Sequence, residues 1–216
     1  MVNVLAIGAH PDDIELGCSA TLLRHKKLGA KIYLLVLTKG EASGDPEERS
    51  QECMKSAKLI GAEDIFFGGL MDTKVHDGVE TILTIERIIN IMKPDIIYTH
   101  SYKDTHQDHR NTSYATLAAG RRSNKIFMYE SPTTLMEFSP QVFVDISDEL
   151  EQKKKIMSLF LSQNDKSWMS RRRAGTMAIE GLAAYRGFQA RVHAAEAFEV
   201  GKLVITLNES VFHNKH

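Results

Sequence analysis

Val4-Leu5-Ala6-Ile7-Gly8-Ala9-His10-Pro11-Asp12-Asp13 decides how the 216-residue chain is read. Val4 to Ile7 is an unbroken apolar run, the pattern of a strand buried on both faces of a parallel sheet. Gly8 and Ala9 are small enough for a sharp turn where that strand ends. His10, Asp12 and Asp13 then crowd metal-binding and proton-moving groups into four positions, and Pro11 stiffens the turn that carries them. Residues 14–23 continue with helix-like character, so the polar cluster falls at a strand-to-helix junction. Ligand sites of open α/β sheets lie at such carboxyl ends. Taken alone, Asp12 or Asp13 reads as an acidic N-cap.

A second cluster changes that balance. His106-Gln107-Asp108-His109 follows another apolar strand, Asp95 to His100, across a short polar loop. Two His/Asp clusters, each just past a buried strand, open on the same edge of a parallel sheet. Together they predict a metal site.

Working outward, the pattern predicts strand 3–8, helix 14–28 ended by Gly29, and strand 31–37. Helix 46–60 starts at Pro46 and stops at Gly61, followed by strand 64–67. Helix 79–92 carries an apolar face of Val79, Ile82, Leu83, Ile85, Ile88 and Ile89, and Pro94 separates it from strand 95–100. Then come helix 108–120, strands 126–130 and 141–146, and helix 148–162 with Ser147 as N-cap. Helix 168–188, strand 202–206 and a frayed tail over 207–216 complete the chain. Alternating strands and helices in the first half predict a three-layer α/β/α sandwich with a mostly parallel, Rossmann-like sheet, as one domain over 1–216.

Twenty-seven basic and twenty-eight acidic residues nearly cancel, so no general attraction to nucleic acid or a membrane surface is implied. No apolar run approaches the roughly 20 residues that span a bilayer. Cys18 and Cys53 lie in predicted helices without C-x-x-C spacing and read as reduced core residues. The N-terminus enters a strand almost at once, with no signal-peptide pattern, and a cytoplasmic location is expected.

The paired motifs, AHPDD at 9–13 and HQDH at 106–109, resemble those of the LmbE-like, PIG-L-type zinc N-deacetylases. The resemblance extends through Thr38-Lys39-Gly40-Glu41, Arg49, Glu52, Asp72, Val144-Asp145-Ile146-Ser147 and Ala195-Glu196-Ala197-Phe198, covering roughly residues 2–205. It implies a hydrolase that removes acetyl from an N-acetylglucosamine-type amino-sugar conjugate, and it implies an oligomer. It also implies His10, Asp13 and His109 as ligands of Zn²⁺, with Fe²⁺ as the alternative ion in the cell. Arg49 and Asp72 match positions that in the family contact the substrate, although Arg49 in Glu47-Glu48-Arg49-Ser50-Gln51-Glu52 also fits a solvated helical ion pair.

The residues themselves suggest further roles. Two imidazoles and one carboxylate with an open position form a catalytic rather than a structural zinc set. Zinc lowers the pKa of bound water from about 15.7 to about 7, and Asp12, next to a ligand, is the expected general base. A protonated His106 is the expected oxyanion donor and general acid. Asp108 either holds His106 cationic or caps its helix. Glu41 binds substrate or caps its loop, Arg171-Arg172-Arg173 reaches a phosphate or is a solvated face, and His193 lines the pocket or has no role. The same ligand set suits a non-haem Fe(II) oxygenase, amide cleavage of a related thiol-sugar conjugate is a second hydrolytic reading, and a sugar- or nucleotide-binding module with a structural metal is a third class. Asp12 and His106 together argue against a mere binding module, because neither is needed to hold the ion.

Overall fold

Unbroken apolar runs become central strands because both faces of each strand are covered. The computed structural model describes residues 1–164 and 172–205. In chain order the elements are β1 (Asn3–Gly8), α1 (Asp13–Lys27), β2 (Lys31–Val36), α2 (Pro46–Ile60), β3 (Asp64–Phe67), α3 (Val79–Met92) and β4 (Ile96–His100). They continue with α4 (Gln107–Ala119), β5 (Lys125–Tyr129), β6 (Val142–Asp145), α5 (Leu150–Met157), α6 (Leu161–Asn164), α7 (Arg172–Ala190) and β7 (Ala195–Leu203).

The strand order is β3-β2-β1-β4-β5-β7-β6. The first five strands are parallel, and β7 runs antiparallel between β5 and β6. Along β1, Val4 and Ala6 face a core with Ile14, Cys18 and Leu22 of α1 and Ile156 of α5. Leu5 and Ile7 face the opposite core with Ile85 and Ile88 of α3 and Ala115 of α4. Burying one such side chain contributes about 1.5–3 kcal/mol, and β1 does so in both directions. The expected mostly parallel three-layer sandwich is what the chain forms.

Several ends follow local chemistry. The Asp45 carboxylate accepts from the Glu47 and Glu48 N–H groups at 2.8 and 3.1 Å, Pro46 occupies the first turn of α2, and Gly61 ends it at φ 79°. Gly17 on α1 serves a close approach: a Cβ there would overlap the Tyr129 ring. The Tyr129 hydroxyl donates to the Ile7 carbonyl at 2.8 Å, pinning β5 to β1. Cys18 and Cys53 are both free and buried.

The C-terminal third departs from the sequence pattern. The last strand is Ala195–Leu203, not 202–206, because Glu196 and Glu199 are buried and paired inside it. Glu196 meets Lys153 at 2.5 Å, and its other oxygen accepts from the Thr21 N–H at 2.7 Å in the middle of α1. Lys153 also donates to the Leu16 carbonyl at 2.6 Å, so the buried pair is inserted against the backbone of α1. Helix 148–162 divides into α5 and α6, and Ser147 caps neither: its hydroxyl donates to Asp145 at 2.6 Å. The final predicted helix is α7, whose predicted opening falls outside the described residues, as do Arg171, the side chains of Arg172 and Arg173, and the 207–216 tail. Among the described residues, no helix is long and apolar enough to cross a membrane.

Candidate active site

The chain runs outward in opposite directions from β1 and from β4, which are neighbours in the sheet. A crevice therefore opens at their carboxyl ends, where such sheets bind ligands. His10, Asp12 and Asp13 leave β1 there, and His100, Asp104, His106, Asp108 and His109 leave β4. His10, Asp12, Asp13, His106 and His109 border an open cleft of about 300 Å³, with Asp72, Arg49, Pro132 and Thr133 on its walls, while His100, Asp104 and Asp108 are buried.

Asp13 stands between two imidazoles. His10 Nδ1 lies 3.4 Å from its Oδ2 and His109 Nε2 lies 3.4 Å from its Oδ1. The far nitrogens of both rings rest on carboxylates. His10 Nε2 is 3.2 Å from Asp108 and 3.1 Å from Asp72, and His109 Nδ1 is 3.1 Å from Asp104. Metal-ligating histidines are held in this way, with the outer nitrogen as donor and the inner one free for the ion. Bonds of about 2.1 Å at tetrahedral angles put donor atoms about 3.4 Å apart. The electrostatics agree: Asp12, Asp13, Asp72, Asp104 and Asp108 surround these rings, with Arg49 as the nearby guanidinium. Burial would lower the pKa of His10, yet its carboxylate partners raise it well above the usual value, and Asp13 and Asp104 likewise lift His109 to about 9. Protons on the two rings thus offset charge that a divalent cation would neutralise. Among the described residues, groups that could hold such an ion are His10/His106/His109, Asp13/His100/His109 and His10/Asp72/Asp108; each of His10, Asp13 and His109 falls in at least one of them, but the three do not fall together in any.

Asp12 precedes α1 at φ 96°, a left-handed conformation unusual for a residue with a side chain, and its carboxylate makes no capping hydrogen bond. The N-cap reading therefore fails for this side chain, which borders the cleft. Burial first, and then the Asp13 charge, push its pKa above the carboxylate range, against Arg49. Strained, making no helix cap and holding a proton more tightly than an ordinary carboxylate, it has the properties of a base.

His106 caps α4 with its ring: Nδ1 accepts from the Asp108 N–H at 3.3 Å, which places the ring proton on Nε2. Burial and the charges of His109 and His10 lower its pKa, which works against the expected imidazolium. Asp108 does not hold His106 in the way the sequence suggested. Its Oδ2 accepts from the Thr73 N–H at 2.8 Å and faces His10, while Oδ1 is buried without a partner.

On the cleft wall, Asp72 accepts from the Ala42 N–H at 3.0 Å and faces His10. Burial would raise its pKa, but His10 and the backbone donors hold it at about 2. Glu41 accepts from the Asp72 N–H at 2.8 Å, bracing that loop. Arg49 is only 3% exposed, which excludes the solvated ion pair. Its guanidinium donates to the carbonyls of Gly40 and Pro11, each at 2.8 Å, and to the Ser43 hydroxyl, and it lies 3.8 Å from Asp12. His193 is exposed and does not border the cleft.

Two residues of the site escaped sequence reading. His100 is fully buried, with Nε2 at 3.0 Å from Asp13 and its ring stacked on His109 at 4.0 Å. Burial, then His109, bring its pKa down to about 4. Asp104 lies behind His109. A histidine ending an apolar strand next to β1, and an aspartate two positions before the second cluster, were the signals available.

Fold and site together define a class, the deacetylase type of α/β sandwich, and the family can be stated. A model of the PIG-L family, described as GlcNAc-PI de-N-acetylase, matches residues 5–120. The chain belongs to this family of LmbE-like deacetylases. The uncharacterized deacetylase YaiS of Escherichia coli K12 is 37% identical over 154 residues, spanning 68% of this chain and 83% of YaiS. Diacetylchitobiose deacetylase of Thermococcus kodakarensis is 28% identical over 189 residues, 74% of this chain and 70% of the relative. The crystal structure of the conserved protein TT1542 from Thermus thermophilus superposes with a TM-score of 0.84 at 26% identity, covering 97% of this chain and 99% of that one.

Proposed function

We propose that the chain hydrolyses the N-acetyl amide of an N-acetylglucosamine-type conjugate, using a divalent metal, Zn²⁺ foremost, held by His10, Asp13 and His109. The observation that carries this reading is Asp12, an uncapped, left-handed carboxylate facing the cleft beside the Asp13-bridged imidazoles. The family description and the chitobiose deacetylase support an acetylated amino sugar as the substrate class.

Bound there, the metal supplies Lewis acidity, polarising the amide carbonyl and bringing the pKa of water to about 7. Asp12 accepts a proton from the attacking water as its oxygen bonds to the amide carbon. The His106 Nε2–H donates to the carbonyl oxygen as it gains charge. A neutral His106 serves better as a hydrogen-bond donor than as an acid, since giving up its proton would leave an imidazolate. Asp12, now protonated, therefore returns the proton to nitrogen as the C–N bond breaks. The immediate products are acetic acid, which keeps the second water proton, and the amine; transfer of that proton gives acetate and an ammonium ion, and atoms and charge balance. Arg49 fixes the turn that carries Asp12, and Asp72 faces both His10 and the cleft wall where sugar hydroxyls would lie.

The test is amine release over a panel of N-acetylglucosamine derivatives, with metal content measured on the same preparation. Release that disappears on chelation and returns with Zn²⁺, Co²⁺ or Fe²⁺ is expected. Stoichiometric metal without release from any member of the panel would favour the binding-module reading.

A further inference from the structure

Asp104 joins an expected metal ligand to the cleft wall through one carboxylate, itself 1% exposed. Its Oδ1 accepts from the His106 N–H at 2.8 Å. Its Oδ2 takes the Ser131 hydroxyl at 2.5 Å and the Thr134 hydroxyl at 3.4 Å, and lies 3.1 Å from His109 Nδ1. A carboxylate held by these donors stays an acceptor, so His109 must present Nδ1–H to it. That leaves Nε2, 3.4 Å from Asp13, as the nitrogen whose proton a metal ion would replace.

The segment that supplies Ser131 is also cleft wall, because Pro132 and Thr133 line it. It is tied to the loop after β4 by a bridge between Asp104 and Thr134 and by the Thr105 N–H to Thr133 carbonyl bond at 2.9 Å. The Thr133 hydroxyl stands 3.5 Å from the same His109 nitrogen.

We propose that Asp104 is the positioning residue that fixes His109 in its metal-binding tautomer, and that Ser131 couples this brace to the wall the substrate meets. The proposal rests on the metal-hydrolase reading above. It makes a chemical distinction: in Asp104→Asn the amide can donate to Nδ1, which moves the ring proton to Nε2 and blocks the ligand atom. Size is preserved while the tautomer is reversed. Ser131→Ala leaves the carboxylate in place and removes one of the groups that aim it.

The experiment is Zn²⁺ affinity by chelator competition, with the visible absorption of the Co²⁺ form, on the full chain. Asp104→Asn should bind Zn²⁺ about 10–100-fold more weakly, as outer partners of metal ligands generally do when replaced, with an altered Co²⁺ spectrum. Ser131→Ala should weaken binding about two- to tenfold in the same direction. Melting of the metal-free proteins serves as a fold check, and if Asp104→Asn does not fold, Ser131→Ala decides alone. Wild-type affinity and spectrum in the folded variants would overturn the proposal. Wild-type protein that holds metal but releases no amine would overturn the hydrolase reading instead, and the variant comparison would still decide this one.

Discussion

The Arg49 guanidinium donates to the Pro11 carbonyl oxygen at 2.8 Å and so ties helix α2 to the turn that carries Asp12. The same group reaches the Gly40 carbonyl beneath a glycine at φ 68°, where an added Cβ would overlap the guanidinium. Arg49→Ala leaves these buried acceptors without their donor. We expect a loss of about 3 kcal/mol in urea unfolding, together with a lower kcat, as Asp12 loses its support. A variant of unchanged stability whose only defect is a raised KM would show Arg49 to be a substrate hand rather than a brace.

Asp12→Asn is the sharper test of the chemistry. Asparagine tolerates the left-handed backbone as well as aspartate does, so the turn should survive. Metal should stay bound while kcat falls about 10²–10⁴-fold. His106→Ala should cost about 10²–10³-fold, besides about 1 kcal/mol for the lost cap of α4. Since both groups serve one transition state, the double variant should lose less than the product of the two. Near-full activity in metal-loaded Asp12→Asn would refute the mechanism.

His25 offers a pH readout outside the proposed metal site. Its Nε2 lies 2.8 Å from the Tyr98 hydroxyl, and burial lowers its pKa from the usual 6.5. The unfolded chain therefore takes up this proton before the folded one. The resulting stability is complete above about pH 6.5 and is lost as pH falls through the lower folded value. Metal-loaded wild type should lose stability relative to His25→Phe as pH is lowered below about 6.5, measured as the difference in urea midpoints. A difference that does not vary with pH would remove His25 as the source.

Glu196→Gln tests the buried pair on α1. It leaves Lys153 charged and 5% exposed without its counter-ion. Breaking such a pair costs about 3–5 kcal/mol, readable by denaturant unfolding of the metal-free protein. Loss of under about 1 kcal/mol would mean that water or another group replaces the carboxylate.

The parts of this fold that could be read in advance are those whose signal is local. The β1 run, Pro46 and Gly61 around α2, and the two His/Asp clusters each announce themselves within a few residues. The β7 strand did not, because Glu196 and Glu199 break its apolar pattern; their partners, Lys153 and Lys103, lie far away in sequence. His100 and Asp104 were missed for a related reason. His100 bears on the site through the adjacency of β1 and β4, while Asp104 meets His109 locally and its other partners come from the returning 131–135 segment. Asp108 lies within the second cluster, but only three-dimensional packing decides that it faces His10 rather than His106.

The Lys153–Glu196 pair has a consequence for the order in which the molecule is made. Every residue of the proposed catalytic centre, from His10 to His109, leaves the ribosome before Lys153 does. The helix that begins at Asp13 nevertheless shares hydrogen bonds at Leu16, Ala20 and Thr21 with those two late residues. The stretch 5–120 that matches the family model thus holds the chemistry but lacks the clasp. During synthesis, α1 must wait for β7 to arrive, and a nascent chain stopped before residue 196 should carry the ligands without a fully secured frame. The frame around the proposed centre is then completed late in biosynthesis, although the residues of that centre are early.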